Sequence, residues 1–126
     1  MATKKIVMIV EDEVDLVDML KFQFMAQGYN VVVAYNGAEG LGKLNNVKPD
    51  IIILDLNMPK LGGVEFCQRI QTPDRKFKYP VLILTARANT ESIFKDYPVD
   101  GFMIKPFKIE QLLLEVERIL KGKEQT

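Results

Sequence analysis

Five short apolar runs constrain this chain more than any other feature. They are Ile6–Val10, Val31–Ala34, Ile51–Leu54, Val81–Leu84 and Phe102–Ile104. Most are rich in Val and Ile and nearly uninterrupted. Strict alternation of apolar and polar residues would suggest a sheet with one wet face. Continuous runs of this length suggest strands covered on both faces. The segments between them mostly carry helical spacing. Leu16, Leu20 and Phe24 recur at i, i+4 and i+8, with Met19 alongside. Ile109, Leu112, Leu113, Val116 and Leu120 form an amphipathic stripe. Gly28 is placed to end the first helix. Leu41 and Leu44, then Val64, Cys67 and Ile70, give weaker helical signals. Ile93, Phe94 and Tyr97 predict a short helix that Pro98 stops.

Strand and helix therefore alternate five times. Short loops and right-handed crossovers make this an α/β fold, a doubly wound (βα)5 five-stranded parallel sheet. The expected strand order is flavodoxin-like, 2-1-3-4-5. The 126 residues fit one domain with one hydrophobic core. Residues 5–120 form its expected body, and the polar stretch 121–126 is expected to fray. Cys67 reads as a small core hydrophobe.

Composition removes whole classes of chemistry. These residues include no His, which excludes Ser-His and Cys-His catalysis, an HExxH zinc site and an internal phosphohistidine. A single cysteine cannot form an internal disulfide, so the expected compartment is reducing and cytoplasmic. Lys plus Arg and Asp plus Glu both total 17, and a net charge of zero argues against direct nucleic-acid binding. No apolar run approaches the roughly 18 residues of a membrane span, and the run after Lys4 and Lys5 is too short for a signal peptide.

In doubly wound sheets, ligands bind beyond the carboxyl ends of the strands. The residues just past each run therefore matter most. Glu11, Asp12 and Glu13 follow the first. Asp55 follows the third, in Asp55-Leu56-Asn57-Met58-Pro59, where Met58 and Pro59 are expected to shape the loop. Thr85-Ala86 follow the fourth and Lys105-Pro106 the fifth. Tyr35-Asn36-Gly37, after the second, reads as ordinary turn chemistry. Glu11, Asp12 and Asp55 are expected to converge, so either one is protonated or a cation lies among them. A hard, oxygen-only site with open water positions suits Mg2+. Glu13 and Asp15 read instead as solvated loop or helix N-terminal residues. Lys105 could hold a phosphoryl oxygen as a point charge, and Thr85 could donate a hydroxyl hydrogen bond to the same group. An X-Pro bond at Lys105-Pro106 can be cis in a tight turn.

This ordered set resembles the receiver domain of two-component response regulators. It comprises an acidic pair, Asp-x-x-Met-Pro with a following Gly, Thr-Ala and Lys-Pro, and the resemblance runs from about Lys5 to Leu120. The resemblance implies that Asp55 accepts a phosphoryl group from a partner's phosphohistidine. It implies that Glu11, Asp12, Asp55 and the main-chain carbonyl of Asn57 hold Mg2+. Lys105, Thr85 and the Ala86 amide would contact phosphoryl oxygens. Phe102 stands where the family places an aromatic switch coupled to Thr85. Asn57 and Arg87 are expected to border the incoming water and tune the phosphoryl lifetime. The implied role is a phosphoacceptor signalling domain rather than an enzyme with turnover. The implied partners are a histidine kinase or histidine phosphotransfer protein, and an output protein or domain reached through the fourth helix, fifth strand and fifth helix. Phosphorylation could also drive homodimerisation. No membrane partner is expected. The chain could be a stand-alone receiver or the N-terminal domain of a longer regulator. The sequence departs from the commoner pattern in Glu-Asp for Asp-Asp, and in Tyr97-Pro98-Val99-Asp100-Gly101 before Phe102.

Three rival readings are weaker. Gly37 to Lys43 matches GxxxxGK, but Leu44 stands where a P-loop needs Ser or Thr. Gly40 and Gly42 are explained by close helix-sheet packing instead. An aspartate-based hydrolase needs an acid two residues past its nucleophile, where this chain has Asn57. A degenerate receiver acting as a phosphorylation-independent binding module would not need the intact acidic set with Thr85 and Lys105.

Overall fold

The computed structural model describes residues 4–56, 62–74, 76–86 and 98–124. Its strands are β1 (Ile6–Val10), β2 (Asn30–Ala34), β3 (Ile51–Asp55), β4 (Val81–Thr85) and β5 (Gly101–Ile104). Its helices are α1 (Val14–Ala26), α2 (Gly37–Lys43), α3 (Gly63–Ile70) and α4 (Ile109–Glu124). The short helix expected around Ile93, Phe94 and Tyr97 lies outside the described residues. The sheet is five-stranded and parallel, in the order β2-β1-β3-β4-β5. The fold is the one the alternation of runs predicted. No helix among the described residues is long and apolar enough to cross a membrane.

The continuous apolar runs are divided between two cores. Val7, Ile9, Ile51, Ile53, Leu82 and Leu84 point to one face, where Val17, Leu20 and Phe24 of α1 meet Leu112 and Val116 of α4. Met8, Val10, Ile52, Leu54, Val81 and Ile83 point to the other, against Phe66, Cys67 and Ile70 of α3. A strand has a side-chain period of two, so both parities must be apolar when both faces are covered. At the amino ends, two aspartates close the ladder. Asp50 accepts from the Ile6 N–H at 2.7 Å, and Asp100 accepts from the Val81 N–H at 2.9 Å.

Several local expectations are corrected. Four of the five strands gain one residue over their apolar runs, because the parallel ladder pairs Asn30 with Ile6, Asp55 with Leu84, Thr85 with Ile104 and Gly101 with Leu82. Met19 is 44% exposed, and Val17 takes the buried position beside Leu20 and Phe24. Asn36 does more than turn the chain, since its side chain accepts from the Glu39 N–H at 2.8 Å and caps α2. The tail expected to fray continues as helix to Glu124. Lys121 pairs with Glu117 at 2.7 Å and Lys123 with Asp100 at 3.1 Å, both placing cations near the negative end of the helix dipole. Gly28 does end α1, at a positive φ of 94°. Cys67 is fully buried, and burial pushes its thiol up to about 12.

Glycine positions separate contact from propensity. A Cβ at Gly40 would lie 3.3 Å from Val10 of β1, as expected for close helix-sheet packing, and 3.0 Å from the Phe66 ring of α3. Gly42 was expected to pack in the same way, but nothing lies within 4 Å of its would-be Cβ. A Cβ at Gly63 would meet the Leu56 Cα at 2.8 Å and the Asp55 carbonyl oxygen at 3.0 Å. Those are backbone atoms of the segment that carries Asp55. Gly63→Ala should therefore lower unfolding free energy by ~2 kcal/mol or more, as forced overpacking does. Gly42→Ala should raise it by ~0.5 kcal/mol through helix propensity. Urea denaturation of the two variants checks both signs.

Candidate functional site

The register brings the strand ends to one edge. Val10 is level with Leu54, Leu54 with Ile83, and Ile83 with Phe102. Glu11 and Asp12 therefore emerge beside Asp55, while Thr85 and Lys105 emerge from the next two strands. Backbone bonds carry the ladder into the site. Glu11 N–H donates to the Ala34 carbonyl at 3.0 Å, Leu56 N–H to Leu84 at 3.2 Å, and Lys105 N–H to Thr85 at 2.7 Å. The Lys105-Pro106 bond is cis.

Glu11, Asp55 and Thr85 are the three buried polar or charged side chains among the described residues. One carboxylate oxygen each from Glu11, Asp12 and Asp55 lies within 4.8 Å of the others, with Asp12 the most open of the three. Lys105 reaches across this cluster. Its Nζ lies 2.6 Å from Glu11 Oε1, 3.6 Å from Asp55 Oδ1 and 3.7 Å from Glu13 Oε1. The second Glu11 oxygen accepts from the Glu13 N–H at 3.1 Å. Lys105, expected to contact a phosphoryl oxygen, makes its short contact here with Glu11. The longer side chain of glutamate explains how a residue at the end of β1 reaches it.

The electrostatics follow from burial. Desolvation pushes the Glu11 carboxyl up to about 7; hydrogen bonds from Lys105 and the Glu13 N–H oppose the rise, and the Asp55 charge adds to it. Burial pulls the Lys105 ammonium down, but its hydrogen bond to Glu11 and the charges of Glu11, Asp55 and Glu13 outweigh that and hold it above its ordinary value. One ammonium thus faces three clustered carboxylates. The donor set is oxygen only and strongly anionic. Hard carboxylate oxygens gathered within 4.8 Å, with Asp12 open to water, are the donor type that Mg2+ takes. The residues present fit that ion.

Thr85 is the last residue of β4 and fully buried in effect, at 1% exposure. Ala86 follows it, is exposed, and helps line an open groove of about 480 Å³ with Glu13, Met19, Lys105 and Phe107. Phe102 is half-buried in β5 and packs against the core that contains Ile83 and Phe66. By strand alternation Thr85 and Ile83 share a face, so Phe102 and Thr85 lie on the same side of the sheet. Asn57 and Arg87 lie outside the described residues. Glu13, expected to be a solvated loop or helix N-terminal residue, is largely exposed and borders the site. Glu13 does hold the N-cap position of α1, but its side chain makes no capping hydrogen bond. It faces Lys105 instead. The signal was its place in an unbroken Glu11-Asp12-Glu13 run at a strand end.

Comparison with known proteins agrees with this arrangement. The family model described as the response regulator receiver domain matches residues 7–117. The response regulator ArlR of Staphylococcus aureus is 36% identical over 121 residues, covering 94% of this chain and 54% of its own length. The chain thus spans about half the length of the curated relatives it matches. Among solved structures, the chemotaxis response regulator CheY4 of Vibrio cholerae superposes with a TM-score of 0.83 at 31% identity, covering 93% of this chain and 99% of that one. TrrA of Thermotoga maritima, in complex with Mg(2+)-BeF, superposes at 0.80 with 29% identity, covering 91% of this chain and 98% of that one. With its ordered strand-end motifs, its sheet order and a match over most of its length, the chain belongs to the response regulator receiver domain family.

Proposed function

We propose that this receiver domain accepts a phosphoryl group on Asp55, in a Mg2+-dependent reaction, and thereby switches a partner-binding surface. The observation that carries this reading is the Asp55 carboxylate itself. It is buried at the end of β3, among two further carboxylates, with the Lys105 ammonium 3.6 Å away. A nucleophile in that setting needs positioning and charge neutralisation more than acid-base groups.

An Asp55 oxygen attacks the phosphorus in line, and the bond from phosphorus to the donor imidazole breaks with its electron pair leaving on nitrogen. The donor would be the phosphohistidine of a histidine kinase or histidine phosphotransfer protein, which agrees with the lack of histidine among these residues. Lys105 turns part of its charge from Glu11 to a phosphoryl oxygen. The Thr85 hydroxyl and the Ala86 amide donate to the remaining oxygens. Glu11, Asp12, Asp55 and the Asn57 carbonyl would hold Mg2+, which when bound supplies charge neutralisation at the transferred group. The Mg(2+)-BeF complex of the TrrA relative supports a loaded site of this kind.

The negative charge added on Asp55 and its pull on Lys105 and Thr85 then bias a two-state element. Phe102, on the same side of the sheet as Thr85, is its proposed aromatic partner. The output face is the expected fourth helix with β5 and α4, where Ile104 is 45% exposed. An output protein or domain, or a second copy of the chain, would read it. Asn57 and Arg87 would set the phosphoryl lifetime from the site's rim. The single domain would work in the cytoplasm.

Two measurements test this reading. Incubation with acetyl phosphate and Mg2+ should add one phosphoryl group by intact mass, and Asp55→Asn should add none. If neither acetyl phosphate nor a histidine kinase phosphorylates the wild type, the reading fails in favour of a phosphorylation-independent binding module. Mg2+ at about 100 times its Kd should raise unfolding free energy by ~2.7 kcal/mol. Asp12→Asn should lose most of that gain while leaving the metal-free protein at least as stable, because one of three clustered like charges is gone. Thermal unfolding with and without Mg2+ checks both.

A further inference from the structure

Glu13 is an acidic residue at a helix start that is not used as a helix cap. Its side chain makes no capping hydrogen bond, although it occupies the N-cap position of α1. Its Oε1 instead lies 3.7 Å from Lys105 Nζ. The two groups differ sharply in burial, Lys105 at 17% exposure and Glu13 at 66%. Lys105 therefore belongs to the floor of the site and Glu13 to its rim. The groove of about 480 Å³ that opens beside the site is lined by Glu13 together with Met19, Ala86, Lys105 and Phe107. In contrast to Glu11, whose two oxygens are taken by Lys105 and the Glu13 N–H, the Glu13 carboxylate is largely exposed and meets Lys105 only at 3.7 Å. Its backbone N–H, not its side chain, supports Glu11. The charge at the rim is thus separable from the architecture beneath it.

We infer that Glu13 is a donor-selectivity residue, whose rim carboxylate disfavours small, free phosphoryl donors relative to a phosphoryl group presented on a protein. This rests on the reading of Asp55 as phosphoacceptor. A free acyl phosphate approaches as a compact anion and must pass a fixed negative charge that already draws on Lys105. Nothing else in its small body offers binding energy to offset that repulsion. A phosphohistidine on a protein carries the same anionic group, but contacts made away from the site hold it in place. The repulsion between exposed charges is also weakened by salt. The reaction with the small donor balances simply. An Asp55 oxygen forms a bond to phosphorus, the bond from phosphorus to the acyl oxygen breaks, and its electron pair leaves on acetate.

The test is the rate at which acetyl phosphate phosphorylates the intact protein at saturating Mg2+, followed by mass. Glu13→Gln should raise that rate by about three- to tenfold at low ionic strength, the size expected of one exposed charge acting on a nearby anion. The gain should shrink as salt is added, because the Debye length falls to about 3 Å at 1 M. Asp15→Asn changes net charge equally at an exposed first-turn position of α1 and should leave the rate unchanged. An equal rate for Glu13→Gln and wild type overturns the inference, as does an equal rise for Asp15→Asn. A gain that salt does not diminish also overturns it. If wild type and Glu13→Gln both remain unlabelled with acetyl phosphate and with a histidine kinase, the phosphoacceptor reading itself has failed.

Discussion

Carboxylates brought within 4.8 Å of one another repel, and a flexible chain in water would spread them apart. Here the sheet prevents that. Glu11 and Asp55 leave adjacent strands at one level, and neither can withdraw without breaking ladder bonds such as Glu11 N–H to Ala34 and Leu56 N–H to Leu84. Lys105, carried in by the outermost strand, is the compensating charge. Its 2.6 Å contact with Glu11 makes an otherwise expensive buried carboxylate tolerable, but it leaves the cluster short of positive charge. The proposed function draws on that deficit, since a divalent cation would offset it and, with Lys105, would neutralise an incoming anionic group.

The two cores serve this one edge. Because both parities of every central strand are apolar, the sheet is clamped between α1 and α4 on one face and α3 on the other. Precision at the edge depends on how closely those layers approach. Gly63, at the start of α3, lies against the backbone of Asp55 and Leu56, where a single methyl group would not fit. Gly40 lets α2 settle onto Phe66 and Val10 in the same way. Packing density at these points fixes where the acidic side chains emerge, so a core substitution can act on the site without touching it.

Much of this was legible from residues alone. Uninterrupted Val and Ile runs required two covered faces, and four of the strand-end motifs fell at a common edge for any parallel register. What proved unreadable had local physical causes. The apolar runs understate the strands, since Asp55 and Thr85 continue the ladder with polar side chains. Val17 and Met19 are both apolar and near the helix stripe, and only packing shows that Val17 faces in. Gly40 and Gly42 are alike in sequence, yet one meets an aromatic ring and the other meets open space. Glu13 reads from sequence as a solvated helix-start acid, and only the fold brings Lys105, 92 positions away along the chain, to 3.7 Å from it.

The sequence by itself determined the class of fold, the edge where chemistry gathers, and the residue types gathered there, because periodicity and strand-end placement are local properties. Only the tertiary structure decided which carboxylate Lys105 holds, which acid stands at the rim, and how tightly the three oxygens converge. Those outcomes depend on side-chain length, burial and distances across strands that have no sequence neighbours in common. Glu11 shows the reason most clearly. As a letter it is one of 17 acidic residues, and as a buried side chain against Lys105 it sets the charge balance of the whole site.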